Sequence, residues 1–174
     1  MNALDAAAVF PEITLPQLAG GTLTLGGVGA APNWQLVLIY RGLHCPLCKR
    51  YLGALQAMLP EFEKIGVDVA VASGDPEHKA QAFADEVGLS MPVGYNLSIA
   101  QMHLLGLYVS DPRSPQETDQ PYPEPGLFVI NAEGKLQIVD ISNAPFSRPD
   151  LGGILRGISF IRENNYPIRG TSAA

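Results

Sequence analysis

The sequence predicts an α/β fold in which helices flank a central mixed sheet, parallel in its main part and antiparallel at one edge. Two observations carry this prediction. Short apolar runs alternate with segments of helical period, in the order β-α-β-α, a short helix and β-β-α, and such alternation requires parallel strands joined by covering helices. The chain has 174 residues, 47% hydrophobic and 16% charged, which suits one domain over residues 1–174 with a core from about 10 to about 162.

The first half of the chain supplies two buried strands and two helices. Leu36–Tyr40 is a continuous apolar run, typical of a strand covered on both faces, and Val67–Ala72 is predicted as the second strand. Between them one helix is predicted to end at Gly66, because apolar residues recur every three or four positions. These residues are Cys48, Leu52, Leu55, Leu59 and Phe62. Asp75 precedes a proline and predicts the capped start of the next helix, which ends at Gly88.

The middle of the chain carries weaker signals. Residues 91–93 predict a short strand and residues 99–105 a short helix. Residues 110–125 contain five prolines and four acids, which predicts a long loop, either ordered or mobile. We expect this acidic loop to be solvated surface, with partner docking as the alternative.

Two antiparallel hairpins complete the pattern. Leu127–Ile130 and Lys135–Ile141 flank a turn that contains glycine, and this arrangement is typical of a hairpin. Ile13–Leu15 and Thr22–Leu25 flank two glycines and predict a small N-terminal hairpin extension. A last amphipathic helix is expected after Pro149.

Charge and hydropathy exclude several function classes. Eleven Lys and Arg against 17 Asp and Glu give a net charge of −6, whereas nucleic acid or an anionic membrane as the main partner would require a basic face. The longest apolar runs are far shorter than the roughly 20 residues of a spanning helix. The N-terminal stretch also lacks the basic start of a secretory signal. We therefore expect a cytoplasmic protein with neither nucleic-acid nor membrane partners.

The two cysteines are the strongest functional signal. Cys45 and Cys48 lie three residues apart, where the first buried strand ends and a helix begins; two cysteines are too few for a secreted disulfide framework. The first turn of a helix presents unpaired N–H groups and the positive end of the helix dipole, and both stabilise a thiolate. Sulfurs on one face of that turn can close a small disulfide ring. The pattern predicts a reversible dithiol–disulfide couple.

Residues beside the cysteines strengthen the redox interpretation. Pro46 suits the first position of a helix, where no N–H donor is required. Arg41 and His44 are close enough in sequence to add positive charge beside the sulfur. We treat Arg41 as a candidate site residue because a cation beside a redox cysteine assists ionisation and binds oxyanions.

Two other interpretations of the cysteine pair stay open. The thiols could be structural and buried, or they could form half of a zinc site with two further ligands from His44, His78 and His103. Structural zinc usually takes two cysteine pairs and the chain has one, so we expect no metal and no cofactor. A redox-sensing or metal-holding module is the non-enzymatic alternative.

Four stretches of the sequence resemble the alkyl hydroperoxide reductase/thiol-specific antioxidant (AhpC/TSA) family, the peroxiredoxins. They are FPEITLP (residues 10–16), YRGLHCPLC (40–48), SGDPEH (73–78) and FVINAEGK (128–135). The resemblance extends from about Phe10 to Ile161. It implies a thioredoxin-like fold and thiol-based antioxidant chemistry.

Compared with the family pattern, the site departs at three positions. The signature Pro-x-x-x-Thr-x-x-Cys places the attacking cysteine at Cys48, the threonine at Cys45 and the proline at Arg41. The activating arginine of the family would fall on Pro125, which matches instead the position where thioredoxins carry a cis-proline facing their CxxC. The chain therefore resembles a CxxC-bearing branch of peroxiredoxin-like proteins.

Two mechanisms follow from this resemblance. In the peroxidase version, the Cys48 thiolate attacks the peroxide and becomes a sulfenic acid, and Cys45 condenses with it to a disulfide. An external thiol, from a thioredoxin-like protein or glutathione, then reopens the disulfide. In the thioredoxin-like version, Cys45 is the more exposed thiol and attacks a substrate disulfide, and Cys48 resolves the mixed disulfide.

We predict a peroxiredoxin-like antioxidant oxidoreductase that reduces peroxides or disulfides, with a disulfide oxidoreductase lacking peroxidase activity as the alternative. The predicted site residues are Cys45, Cys48, Arg41 and Pro125. A homodimer is a further expectation drawn from the resemblance.

Overall fold

The computed structural model describes residues 4–26 and 33–172. The strands are β1 Ile13–Pro16, β2 Thr22–Leu25, β3 Trp34–Ile39, β4 Val67–Ala72, β5 Val93–Gly94, β6 Val109–Ser110, β7 Tyr122–Pro123, β8 Gly126–Ile130 and β9 Leu136–Ile141. The helices are α1 Pro46–Ala57, α2 Leu59–Lys64, α3 Glu77–Val87, α4 Ile99–Leu104 and α5 Leu151–Asn164. The start of the N-terminal stretch and the two ends of the predicted domain lie outside the described residues.

The central sheet has the strand order β5-β4-β3-β8-β9. Strand β3 pairs in parallel with β4, as at Leu36↔Val69, and antiparallel with β8, as at Val37↔Phe128. The pairing of β4 with β5 is parallel, and that of β8 with β9 is antiparallel. This arrangement confirms the predicted mixed sheet with an antiparallel edge.

Both faces of β3 are buried, which explains its continuous apolar sequence. Leu36 and Leu38 pack into a core on the side of α1, α3 and α5. Val37 and Ile39 face the opposite way, into a core with the β1–β2 hairpin and α4. Successive side chains of a strand alternate between faces, so a strand between two cores has no polar side.

The two hairpins and the last helix form as predicted. β1 pairs antiparallel with β2, and β8 pairs antiparallel with β9 around a turn at Gly134. Gly88 ends α3 in the left-handed conformation, with φ +75°, which glycine adopts without strain. None of the described helices is long and apolar enough to cross a membrane.

The helix predicted after the cysteines is interrupted. α1 ends at Ala57 and α2 begins at Leu59, so the single helix expected as far as Gly66 is wrong. Pro60 accounts for the break, because proline has no N–H to donate to Gln56 and its ring clashes with that carbonyl in a continuous helix. The apolar stripe nevertheless continues across the break, since Phe62 is fully buried.

Asp75 does not cap α3, contrary to the sequence prediction. Pro76 occupies the N-cap position and no side chain caps the helix. Asp75 is instead buried, and its Oδ2 accepts a hydrogen bond of 2.7 Å from the backbone N–H of Leu43. The carboxylate therefore stabilises the turn that precedes the cysteines.

Of the two forms predicted for the acidic loop, ordered or mobile, the structure shows the ordered one. β6 and β7, at its two ends, pair antiparallel. Inside the loop, Asp119 forms an ion pair with Lys79 of α3, and Gln120 Nε2 donates to the carbonyl of Gly74 at 2.7 Å. These contacts hold the loop against the start of α3, beside the turn that carries the cysteines.

Candidate active site

Cys45 lies at the N-terminus of α1, at the end of the turn that leaves β3. Its backbone N–H donates to the carbonyl of Gly42 at 3.1 Å. It is the N-cap residue, and its Sγ accepts the backbone N–H of Cys48 at 3.2 Å. A side chain with this role is usually an oxygen of Ser, Thr, Asp or Asn. Here the sulfur takes that role, which places it against an unpaired N–H and the positive end of the helix.

Both thiols are free and buried. The exposed fraction is 1% for Cys45 and 0% for Cys48, so the expectation that Cys45 faces solvent is wrong. Arg148 lies against both sulfurs. A small molecule can approach such a site with less rearrangement than a folded protein needs.

Arg148 supplies a guanidinium group directly at the pair. Its Nη2 lies 3.0 Å from Cys48 Sγ and 3.9 Å from Cys45 Sγ, and its Nε donates to the carbonyl of Pro145 at 3.0 Å. Its Nη1 is buried without a hydrogen-bond partner among the described residues. Arg148 therefore holds the pair from one side and keeps one donor for a further acceptor.

Arg148 is absent from the sequence prediction. It lies 100 residues from Cys48 along the chain, in a segment between β9 and α5 that has no motif of its own. Its neighbours are Ser147 and Pro149, which indicate a loop and nothing more. Only the packing of that segment on α1 brings it to the cysteines.

Arg41, a predicted site residue, lies four residues before Cys45 in the turn that leaves β3. Its Nε forms an ion pair of 3.1 Å with Glu124 Oε2, and its Nη2 donates to the hydroxyl of Tyr122 at 2.8 Å. Glu124 is 3% exposed, so this pair is shielded from water. Arg41 lowers the pKa of Cys45, after the larger contribution of Cys48. Its charge is thus shared between the thiol and a buried carboxylate.

His44 does not add positive charge, contrary to the sequence prediction. Burial lowers its pKa to about 4, and Arg41 nearby acts in the same direction, so the imidazole is neutral at pH 7. The ring packs on Tyr122, with 4.5 Å between ring centroids. Within residues 4–26 and 33–172, no three His, Cys, Asp or Glu side chains group so as to hold a metal ion; His78 and His103 do not join His44.

The two thiols differ in acidity. The Cys48 thiol and then the Cys48 backbone N–H donate to Cys45 and lower its pKa, with Arg41 and Arg148 adding to this effect against burial. Burial, followed by the hydrogen bond to Cys45, raises the pKa of Cys48. These directions favour the thiolate form of Cys45 and the thiol form of Cys48.

Pro125 is buried but does not reproduce a cis-proline. No peptide bond in the described part of the chain is cis. The residue borders a narrow cleft together with Tyr51 and Arg148, and its carbonyl accepts from Ser142 N at 3.0 Å. Pro125 therefore lies beside the arginine that contacts the cysteines, at the position where the family pattern would have supplied an arginine.

A cysteine pair at the N-terminus of a helix, after a central strand of a mixed sheet, defines a protein of the thioredoxin-like class. Residues 6–139 match the AhpC/TSA family model, and the chain belongs to this family. The resemblance found in the sequence is thereby confirmed.

Solved structures show the same fold at low sequence identity. Peroxiredoxin 6 of Arenicola marina, a cysteine-to-serine mutant, has a TM-score of 0.78 at 20% identity and covers 94% of this chain and 76% of its own. A peroxiredoxin-like protein from Aquifex aeolicus has a TM-score of 0.72 at 18% identity, with 92% and 90% covered. Peroxidoxin BcpB of Mycobacterium tuberculosis has a TM-score of 0.71 at 15% identity, with 92% and 98% covered. These likenesses confirm the thioredoxin-like fold.

A curated relative matches over a shorter stretch. The thiol-disulfide oxidoreductase ResA of Halalkalibacterium halodurans is 35% identical over 57 residues, which is 32% of this chain and 32% of the relative. The match thus spans about a third of that protein's length. With the family match, it supports the predicted thiol-dependent oxidoreductase of peroxiredoxin-like or thioredoxin-like type.

Proposed function

We propose that the protein is a thiol-dependent peroxide reductase in which Cys45 and Cys48 form a reversible dithiol–disulfide couple. The observation that carries this proposal is the position of Cys45 Sγ at the N-terminus of α1, where it accepts the Cys48 N–H at 3.2 Å. Such a thiolate is available at neutral pH. Membership of the AhpC/TSA family supports antioxidant chemistry, and the burial of both sulfurs favours a substrate as small as a peroxide.

The reaction takes two steps on this pair. The Cys45 thiolate attacks one peroxide oxygen, the O–O bond breaks, and the leaving oxygen takes a proton, for which the Cys48 thiol is the nearest source. Cys45 is now a sulfenic acid. The Cys48 thiolate left by this transfer then attacks the sulfur of Cys45. An S–S bond forms, the S–O bond breaks, and the departing hydroxide takes a proton from solvent and leaves as water. Two electrons from an external thiol donor return both cysteines to thiols.

Arg148 assists both steps in this scheme. Its Nη2 contacts the sulfurs, and its buried Nη1 is a donor for the peroxide oxygen or for the oxygen that leaves. A preorganised cation in a site shielded from water stabilises developing negative charge without reorganising solvent. Arg41 acts beside it, with Glu124 fixing its orientation.

The site favours Cys45 over Cys48 as the attacking thiol. The family signature would place the attack at Cys48, but burial raises the pKa of that thiol, whereas the Cys48 thiol and backbone N–H lower the pKa of Cys45. Stopped-flow addition of hydrogen peroxide to the reduced Cys45→Ser and Cys48→Ser variants tests the assignment.

We expect Cys48→Ser to consume about one peroxide per chain and stop at the sulfenic acid. We expect Cys45→Ser to lose rapid consumption. Rapid consumption that survives in Cys45→Ser and vanishes in Cys48→Ser would instead make Cys48 the attacking residue. Wild-type protein that consumes peroxide no faster than the double variant would exclude a peroxide reductase altogether.

A disulfide oxidoreductase without peroxidase activity is the second candidate. The match to a protein named thiol-disulfide oxidoreductase favours it, as does the CxxC pair itself. Insulin reduction with dithiothreitol as donor measures this activity, and both cysteine variants serve as controls. Turnover of insulin without peroxide consumption would favour this candidate over the first.

Four further properties of the protein are proposed from the sequence and the family match. We propose a CxxC-bearing branch of the family, one domain over residues 1–174, a cytoplasmic location and reduction by an external thiol. Free thiols counted before and after one equivalent of peroxide test the couple, since a Cys45–Cys48 disulfide removes both. Light scattering of the reduced protein tests the expected homodimer.

A further inference from the structure

A groove of about 570 Å³ lies beside the cysteine pair. It runs between one face of α1 and the segment that joins β9 to α5, and its volume falls in the range of about 300–1,000 Å³ typical of small-molecule sites. Its apolar walls are formed by Leu47, Ala54, Met58, Phe146 and Leu151. Phe146 is 84% exposed and adds its ring to the apolar surface of the groove.

The groove reaches the redox pair at Arg148. This residue lines the groove, while its Nη2 lies 3.0 Å from Cys48 Sγ. The guanidinium also stacks on Tyr51, with Cζ 5.2 Å from the ring centroid, and the Tyr51 hydroxyl donates to the carbonyl of Pro149 at 2.6 Å. A molecule in the groove therefore approaches the pair from the Cys48 side.

The groove is positively charged in a protein whose net charge is −6. Arg50 and Arg148 line it, and neither forms an ion pair with an acidic side chain of the described residues. The acid that lines the groove, Asp150, is already engaged: its Oδ2 accepts from Gly153 N at 2.6 Å and lies 3.7 Å from Arg156 Nη2. The guanidinium of Arg50 is thus available to an anion, and the charge of Arg148 adds to the positive potential of the groove.

We propose that this groove binds the electron donor of the enzyme, a small thiol that carries carboxylates, and directs its sulfur to Cys48. The inference rests on the proposed function. The volume suits a ligand of peptide size rather than the surface of a donor protein, which would bury about 800 Å² on each partner. The two arginines complement the carboxylates, and the apolar walls complement the body of the donor.

The chemistry agrees with approach from the Cys48 side. The donor thiolate attacks Cys48 Sγ of the Cys45–Cys48 disulfide, the S–S bond breaks, and Cys45 departs as a thiolate that α1 stabilises. A more stable thiolate is the better leaving group. A second donor thiol then attacks the donor sulfur of the mixed disulfide. Two donor thiols lose one electron each and form a donor disulfide, and the protein takes up the two electrons and regains both thiols.

The test measures how fast preformed disulfide is reduced, without any peroxide. Protein oxidised with diamide is mixed with glutathione, which carries two carboxylates, or with the neutral 2-mercaptoethanol. We expect Arg50→Gln to slow reduction by glutathione about fivefold, which is the equivalent of about 1 kcal/mol for one exposed ion pair. The rate of reduction by 2-mercaptoethanol should stay within about twofold of the wild-type rate. Arg169→Gln, an exposed arginine outside the groove, is the matched control.

Acid quenching during this reaction locates the attack, because peptide mapping should find glutathione on Cys48. Glutathione found on Cys45 would overturn the inference. So would an Arg50→Gln substitution that slows reduction by glutathione and reduction by 2-mercaptoethanol equally. So would an unchanged glutathione rate, which would indicate a donor that does not use the groove. In each of these cases the Cys45–Cys48 couple itself survives. Failure of diamide to form the disulfide would overturn the proposed function as well.

Discussion

Replacement of Arg148 by glutamine should raise the pKa of Cys45 and slow its reaction at neutral pH. The Arg148 Nη2 atom lies 3.9 Å from Cys45 Sγ and 3.0 Å from Cys48 Sγ. Glutamine keeps a polar side chain but removes the positive charge. The thiolate then loses one of the groups that favour its charged form, while the hydrogen bonds from Cys48 remain.

The size of the effect follows from Coulomb's law. Unit charges 3.9 Å apart interact by about 4 kcal/mol at an effective dielectric constant of about 20. Water that enters after the substitution, and Arg41 on the other side, replace a large part of this interaction. A net loss of about 1.4–2.8 kcal/mol corresponds to a rise of about one to two pKa units. Because the wild-type pKa of Cys45 is lowered to about 6, the thiolate fraction at pH 7, and with it the reaction rate, should fall about two- to tenfold.

Thiolate absorbance in the ultraviolet, followed against pH, measures the pKa directly. Arg148→Lys keeps a positive charge and should shift the pKa less than Arg148→Gln, and Arg169→Gln should leave it unchanged. The Cys48→Ser background isolates the signal of Cys45. If Arg148→Gln titrates like the wild type in that background, Arg148 does not stabilise the thiolate and the proposed role is wrong.

Three further predictions concern the same turn. Alkylation of Cys45 should reach half its maximal rate well below the usual thiol pKa of 9.0, since its pKa is lowered; mass spectrometry against pH measures this. Asp75→Ala leaves the Leu43 N–H without its acceptor and should lower the free energy of unfolding by about 1–2 kcal/mol, measured in urea. Gly42→Ala should destabilise the fold by a comparable amount, because a Cβ would lie 2.8 Å from both Asp75 carboxylate oxygens and φ is +136°.

Control substitutions distinguish these specific losses of stability from a general loss of stability caused by any substitution. Asp85→Ala removes an exposed acid of α3 and should change the free energy of unfolding by less than about 0.5 kcal/mol. Gly88→Ala also places a side chain at positive φ, but its Cβ would meet nothing within 4 Å, so it should be less destabilising than Gly42→Ala. Equal losses for Gly42→Ala and Gly88→Ala would contradict the role given to Asp75. An alkylation profile centred at the usual thiol pKa would contradict a stabilised Cys45 thiolate.

Local patterns account for the parts of the fold that the sequence predicts. Cys45 and Cys48 are three residues apart, which is less than one helical turn. Their proximity at the start of α1 therefore follows from local helix geometry. The continuous apolar run of β3 likewise follows from burial on both faces. Family membership could be predicted because its motifs are short and contiguous.

Contacts between distant segments account for the parts that could not be predicted. The neutral state of His44 depends on burial against Tyr122, and the role of Asp75 depends on a hydrogen bond to Leu43, 32 residues away. Neither contact leaves a periodic trace in the sequence. The break after α1 does have a local signal, because Pro60 disfavours a continuous helix. The apolar spacing continues past Pro60, however, and this spacing led to the prediction of a single helix.

The two arginines of the site show why proximity along the chain is a poor guide to electrostatics. Arg41 lies four residues before Cys45, yet Glu124 takes up much of its charge in a buried ion pair. Arg148 comes from the other end of the chain and has no carboxylate partner among the described residues, so its charge acts on the thiols. Because the Tyr51 hydroxyl ties the Arg148 segment to α1, a ligand that moves this segment must also change the field at Cys48. Occupation of the groove and reactivity of the cysteine pair are therefore coupled through one side chain.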